Sequence, residues 1–396
     1  MPRYVIDESA LRRNLEILKG VSDRTGAKIL LAQKAFSCAA VYPLCAKYLA
    51  GTTASSLFEA RHGHDNFGGE THVFAPAFAT EEMDELLGLV DHIVFNSPHQ
   101  VEKFGEMAKG RGVSVGLRVN PEVSVATTPA YDPCRPGSRL GVTRAALGNW
   151  ESACAEASAD AKATADKSAD KRVTGNGLLV DGLHFHCLCE QGVDELRKVL
   201  AGFEEKFGDL LPKMKWVNFG GGHHITRDGY DVDGLVALVN DFRARHPHLT
   251  VYLEPGEAVA LNAGTLESRV LEIQPPGADG VSNAILDVSA ACHMPDVIEM
   301  PYTPRVVGAR ALTHSPNFLY RFGGPTCLAG DEIGTYAFER PLAEGDAVVF
   351  EDMAIYSMVK NNTFNGIGLP DIVVRHEDGR EELVRRFGYE NFAARL

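Results

Sequence analysis

Residues 28–34 read KILLAQK, a short apolar run closed by an amine. A run of this length with no polar face is the pattern of a strand buried on both sides, as in a parallel sheet. Seven further runs follow at 52–56 (TTASS), 71–75 (THVFA), 92–96 (HIVFN), 113–120 (VSVGLRVN), 183–187 (LHFHC), 215–219 (KWVNF) and 249–254 (LTVYLE). Helical patterns separate most neighbours, for example 79–90, acidic in its first turns, and 194–207, apolar at helical spacing. Eight strand–helix units predict an α/β chain built on a TIM-like (β/α)8 barrel.

Beyond residue 267 the rhythm changes to Gly- and Pro-punctuated runs without long helices between them: RVLEIQ, NAILDV, RVVGARAL, DEIGTYAF and DAVVFEDMAIYSM. These predict an antiparallel β domain, and the strand-like Tyr4, Val5 and Ile6 are candidates to join it. The domains expected are 9–264 for the barrel, with 1–8 and 265–396 forming the β domain. Residues 151–176, rich in Ala, Asp and Lys and free of large apolar side chains, read as a surface insertion without a part in chemistry.

The 396 residues carry 39 Lys and Arg against 53 Asp and Glu, a formal charge of −14 that disfavours nucleic acid and anionic membranes as partners. No segment reaches the roughly 18 apolar residues of a membrane span, and the N-terminus turns polar before any signal-peptide stretch. Eight cysteines without an export signal read as reduced thiols. A cytoplasmic protein is expected.

In such barrels functional side chains cluster at the C-terminal strand ends. Lys34 follows the first strand, where an enclosed apolar mouth would lower the pKa of its amine toward nucleophilic use. Gly220, Gly221 and Gly222 end the seventh strand and suit backbone contact with a phosphate, or else a plain tight turn. Glu254-Pro255-Gly256 ends the eighth and leaves a carboxylate at the mouth. His184 and His186 alternate with Phe185 and Cys187, which raises a metal-hydrolase reading; alternation separates the nitrogens from the sulfurs, so no metal is expected.

Lysine, histidine, glycine loop and glutamate in this order resemble the fold-type III pyridoxal phosphate enzymes, the alanine racemase and ornithine/diaminopimelate decarboxylase superfamily. The resemblance continues through Gly324-Pro325-Thr326-Cys327-Leu328-Ala329-Gly330-Asp331 and through Glu351-Asp352-Met353-Ala354-Ile355-Tyr356 with Thr363-Phe364-Asn365-Gly366. LLAQKAFS, ASSLFEARHG, GLHFHCLCE, FGGGHHIT, LEPGEA, CHMPDVIEMPY and GPTCLAGD are similar to the carboxynorspermidine/carboxyspermidine decarboxylase family within it. Position 257 departs from the wider superfamily, carrying Glu where diaminopimelate and ornithine decarboxylases typically have Arg.

The resemblance implies pyridoxal 5'-phosphate joined covalently to Lys34, with Glu254 at its ring nitrogen, His186 stacked on the ring, Gly220–Gly222 at the phosphate and Tyr356 among its contacts. It further implies Cys327 as the proton donor, and a homodimer in which Cys327, Asp331 and Tyr356 reach into the neighbouring site. A cationic polyamine tail calls for carboxylates, with Glu257, Asp296, Glu299 and Asp331 as candidate substrate contacts. The function expected is decarboxylation of carboxynorspermidine and carboxyspermidine in polyamine synthesis. Decarboxylation of diaminopimelate or a basic amino acid is the alternative within the fold, with Arg118, Arg139 or Arg305 at a distal carboxylate. A non-catalytic cofactor-binding regulator is the alternative outside it.

Overall fold

The computed structural model describes residues 2–126, 128–148, 179–310, 312 and 318–396, so the insertion expected at 151–176 lies outside the described residues. The chain divides into two compact units. One comprises Glu16–Gln33 and Tyr42–Ala258, the other Met1–Leu15, Lys34–Val41 and Val259–Leu396.

The first unit is a closed parallel barrel of β2 (Lys28–Ala32), β3 (Gly51–Ala54), β4 (Glu70–Phe74), β5 (His92–Phe95), β6 (Ser114–Arg118), β7 (Gly182–His184), β8 (Trp216–Asn218) and β9 (Thr250–Leu253). β2 pairs with β9 through Lys28 opposite Tyr252 and Ile29 opposite Leu253, which closes the ring. The strands are as short as the apolar runs implied. Helix Pro98–Gly110 shows why the crossovers start where they do: Ser97 accepts a hydrogen bond from Gln100 N–H and proline occupies the first turn. The helix expected over 79–90 is shorter, Thr80–Leu86, because the chain turns off through Leu87 and Gly88.

Side chains fill the barrel in layers. Leu30, Val94, Trp216 and Tyr252 pack together at its centre. Trp216 occupies the space that glycine leaves on two adjacent strands: a Cβ at Gly182 would lie 2.1 Å from the indole, and one at Gly116 2.5 Å. Phe185 points outward instead, packing at a tilt on Phe203 at 4.6 Å and stacking on Phe219 at 5.2 Å.

The second unit holds one sheet in the order β13-β12-β11-β10-β1-β15-β16, with β14 also on β10. Its strands are β1 (Arg3–Asp7), β10 (Gly264–Gln274), β11 (Ser282–Leu286), β12 (Phe318–Gly323), β13 (Glu332–Phe338), β14 (Ala347–Glu351), β15 (Asp371–Arg375) and β16 (Glu381–Arg385). The sheet is mixed where a purely antiparallel one was expected, because β1 runs parallel to β15 and β11 parallel to β12. β1 is antiparallel to β10, with Tyr4 opposite Leu266. Among the described residues of RVVGARAL no continuous strand forms; Val306 and Arg310 make isolated bridges to Phe350 and Ala337, and a turn runs between them through Val307 and Gly308.

Candidate active site

At the C-terminal rim of the barrel, one residue past β9, Glu254 is almost fully buried. Its Oε1 accepts from the Asn218 amide at 2.8 Å, and its Oε2 lies 3.2 Å from His184 Nε2. Burial pushes the carboxyl up. The charge and hydrogen bond of His184, the charge of His72 and the Asn218 amide outweigh that, bringing the pKa down to about 2. A carboxylate ionised at every physiological pH inside a barrel is a site prepared for a cation.

Around it, Phe74 stacks on His184 at 5.6 Å and carries the Arg118 guanidinium over its other neighbourhood at 4.5 Å. Arg118, buried at the end of β6, donates to the His186 carbonyl at 3.1 Å. Burial lowers its pKa to about 10 against the raising effect of Cys187, Cys134 and Glu254, so it remains a cation. Arg118, named above as a candidate for a distal carboxylate, is thus a buried cation bonded to the His186 carbonyl.

The three glycines are glycine for a steric reason. A Cβ at Gly220, Gly221 or Gly222 would stand 2.5, 2.3 or 2.1 Å from the carbonyl oxygens of Phe185, Glu254 and Leu188. Gly220 and Gly222 also have positive φ, +71° and +82°. Gly220 N–H donates to Asn218 Oδ1 and Gly221 N–H to His186 Nδ1, at 2.8 and 2.9 Å. Of the expected phosphate donors, two are thus engaged inside the protein, and the second fixes His186 with Nδ1 as acceptor. His184 Nε2 lies 3.2 Å from Glu254 Oε2 and His186 Nδ1 accepts from Gly221 N–H, while burial pushes the Cys187 thiol up beside Cys134.

Glu257, expected at the substrate tail, lies 3.1 Å from Nε2 of the buried His224. This approach of the EPG turn to the glycine loop was not visible in the sequence, and His224 Nε2 makes no hydrogen bond across it.

Lys34 is exposed on the turn after β2, not enclosed as expected, because β2 ends at Ala32 and Gln33–Ala35 turn away. The next residue anchors a second motif: Tyr356 N–H donates to the Ala35 carbonyl at 2.8 Å, with Tyr356 at φ 48°. The resemblance suggested a tyrosine reaching into another subunit; its main chain is tied to the same chain's lysine turn.

In the sheet unit, Cys327 is exposed and its N–H donates to Asn365 Oδ1 at 2.9 Å, joining the GPTC and TFNG motifs. Asp331 is buried under Ser289 Oγ, Ala291 N–H and Thr326 Oγ1 at 2.9, 3.2 and 2.7 Å, so it clamps the cysteine loop. Asp296 and Glu299 both bind the Lys360 ammonium. Partial burial opposes the charge on Lys360, and the two carboxylates hold its pKa above the ordinary value.

Within the barrel unit the donors suit pyridoxal 5'-phosphate: an anionic Glu254 for a protonated ring nitrogen, and a His186 imidazole oriented by Gly221 N–H. Comparison with known proteins agrees. Residues 4–354 match the family model described as pyridoxal-dependent decarboxylase, C-terminal sheet domain. The chain is 41% identical to the carboxynorspermidine/carboxyspermidine decarboxylase of Campylobacter jejuni, covering 100% of this chain and 98% of that protein. It is also 41% identical to the carboxyaminopropylagmatine decarboxylase of a Synechocystis species, covering 100% and 95%. The crystal structure of the Campylobacter jejuni carboxynorspermidine decarboxylase complexed with norspermidine superposes with a TM-score of 0.85 at 38% identity, each chain wholly covered. With its closed barrel, mixed sheet unit and buried carboxylate, this chain belongs to the pyridoxal-dependent decarboxylases.

Proposed function

We propose that the protein is a carboxy-lyase of polyamine synthesis, acting as a cytoplasmic homodimer on amines that carry a carboxylated aminopropyl arm, carboxynorspermidine and carboxyspermidine first among them. The observation that carries this reading is the 41% identity along the whole chain to a decarboxylase of those two compounds. The equal identity to a carboxyaminopropylagmatine decarboxylase favours an agmatine-derived substrate as the second reading. The reactive head is common to all three.

Pyridoxal 5'-phosphate supplies the electron sink for the carbanion left when carbon dioxide departs. When that group is bound, Lys34 would hold it through its side-chain amine. Glu254 would hold a proton at the ring nitrogen of the bound group, and His184 and Asn218 keep Glu254 ionised. His186 flanks the ring, and Gly222 and Tyr356 serve the phosphate. Cys327, exposed on its clamped loop, delivers a proton to the α-carbon in the site of the second copy, with Asp331 holding that loop. Asp296 and Glu299, which already accept one alkylammonium in Lys360, receive the polyamine tail in its place.

Carbon dioxide release is measured with carboxynorspermidine, carboxyspermidine, carboxyaminopropylagmatine and diaminopimelate side by side. Preference for the carboxylated amines supports the reading; equal turnover of diaminopimelate overturns it.

A further inference from the structure

At the opposite, N-terminal end of the barrel a second group of side chains converges. Glu70 opens β4, His72 follows two residues on and shares its face, and His92 opens β5 in register with His72. One donor atom from each lies within 4.8 Å of the others. His72 Nε2 is 3.1 Å from Glu70 Oε2, which also accepts from the Tyr252 hydroxyl at 3.0 Å, while the Lys28 ammonium binds Oε1. The two imidazoles stack at 4.0 Å and 7°.

Two features of this group are unexplained by packing. Nδ1 of His72 and Nδ1 of His92 are both buried without a hydrogen-bond partner, and they belong to adjacent rings. A buried polar atom without a partner is destabilising, and these two, on adjacent rings, are lone pairs or N–H groups that a ligand could satisfy.

We propose that Glu70, His72 and His92 form a binding site for one divalent transition-metal ion of the zinc type. Two imidazoles and one carboxylate are a donor set for zinc, cobalt or nickel and a poor one for magnesium or calcium, which demand oxygen. Tyr252 and Lys28 supply the outer contacts that orient the carboxylate, as ligating carboxylates usually have. Glu70 and His92 are only partly buried, so an ion has a route from solvent. Parallel rings aim their lone pairs side by side, so binding turns one ring out of the stack, and the partly exposed His92 is the freer of the two. The ammonium of Lys28 on the same carboxylate opposes a second cation and weakens binding. The site lies at the other ends of the strands from Glu254 and does not depend on the proposed substrate.

The test uses the holoenzyme, freed of metal with a chelator, dialysed against zinc chloride and assayed for bound zinc. The expected result is about one ion per chain, unchanged in the surface control His64→Ala and weakened at least about tenfold in His92→Ala and in Glu70→Gln. Lys28→Gln binds more tightly, a gain that a misfolded variant does not produce. Absence of bound zinc in the parent, or equal binding in the parent, His92→Ala and Glu70→Gln, overturns the proposal.

Discussion

His184 Nε2 stands 3.2 Å from Glu254 Oε2 inside the barrel, and the Asn218 amide takes the other oxygen. The pair makes an anion stable where burial alone would neutralise it. Glu254→Gln retains shape and the Asn218 contact but loses the charge. We expect kcat to fall about 10²- to 10³-fold, the scale of losing one electrostatic stabiliser, with the cofactor still bound by its visible absorption. His184→Gln leaves the carboxylate without its main counter-charge, so the pKa of Glu254 rises and unfolding in urea comes earlier, by about 3 kcal/mol.

Borohydride reduction of the holoenzyme followed by peptide mapping should place the cofactor on Lys34. Lys34→Ala should show no such peptide and no turnover, and a labelled peptide elsewhere removes Lys34 from its assigned part.

Shared sites have an arithmetic signature. Lys34→Ala and Cys327→Ala are each inactive, yet mixed and reassembled they form hybrid dimers with one intact site in two. Activity of about one quarter of the parent is expected after equal mixing. No recovery means that Cys327 serves its own chain.

Buried and partly buried histidines set the acid limit of stability, among them His92, which burial and then the charge of His72 lower to about 3. Burial lowers His223 and His293 to about 4, and both are bonded in the neutral form: His293 Nδ1 accepts from Ser289 N–H while its Nε2 faces the Gly368 carbonyl at 3.1 Å. The unfolded chain binds these protons at about 6.5. Their contribution is therefore complete above that value and is lost as pH falls toward 4, by up to about 1.4 kcal/mol per pH unit for each. Glu70 and Glu254, lowered to about 2, begin to lose theirs only below about 4.5. Urea midpoints at pH 7.5, 6 and 5 should fall steadily, and His293→Gln should flatten the trend.

The barrel was readable because strands buried on both faces announce themselves as apolar runs, and because some of those runs are closed by residues with chemistry. Lys34, Gly220–Gly222 and Glu254 are such ends. Partners far apart in the chain leave no such trace: His184 is 70 positions from Glu254, and β1 lies beside β15 across most of the sequence. The same reason hid the convergence of Glu70, His72 and His92, whose histidines read as ordinary strand residues. The mixed sheet was missed because its parallel pairs are not hairpins and carry no turn signal.

Residues 34–41 group with the sheet unit although they lie between two barrel segments, and Tyr356 N–H grips the carbonyl of Ala35. The polypeptide therefore crosses between its two units at four junctions. Modular recombination among relatives has to respect this weave. A chimera spliced only near residue 258 inherits its lysine turn from one parent and the loop that grips it from the other, so compatibility of those two loops, more than of the barrel cores, decides which grafts yield a working enzyme.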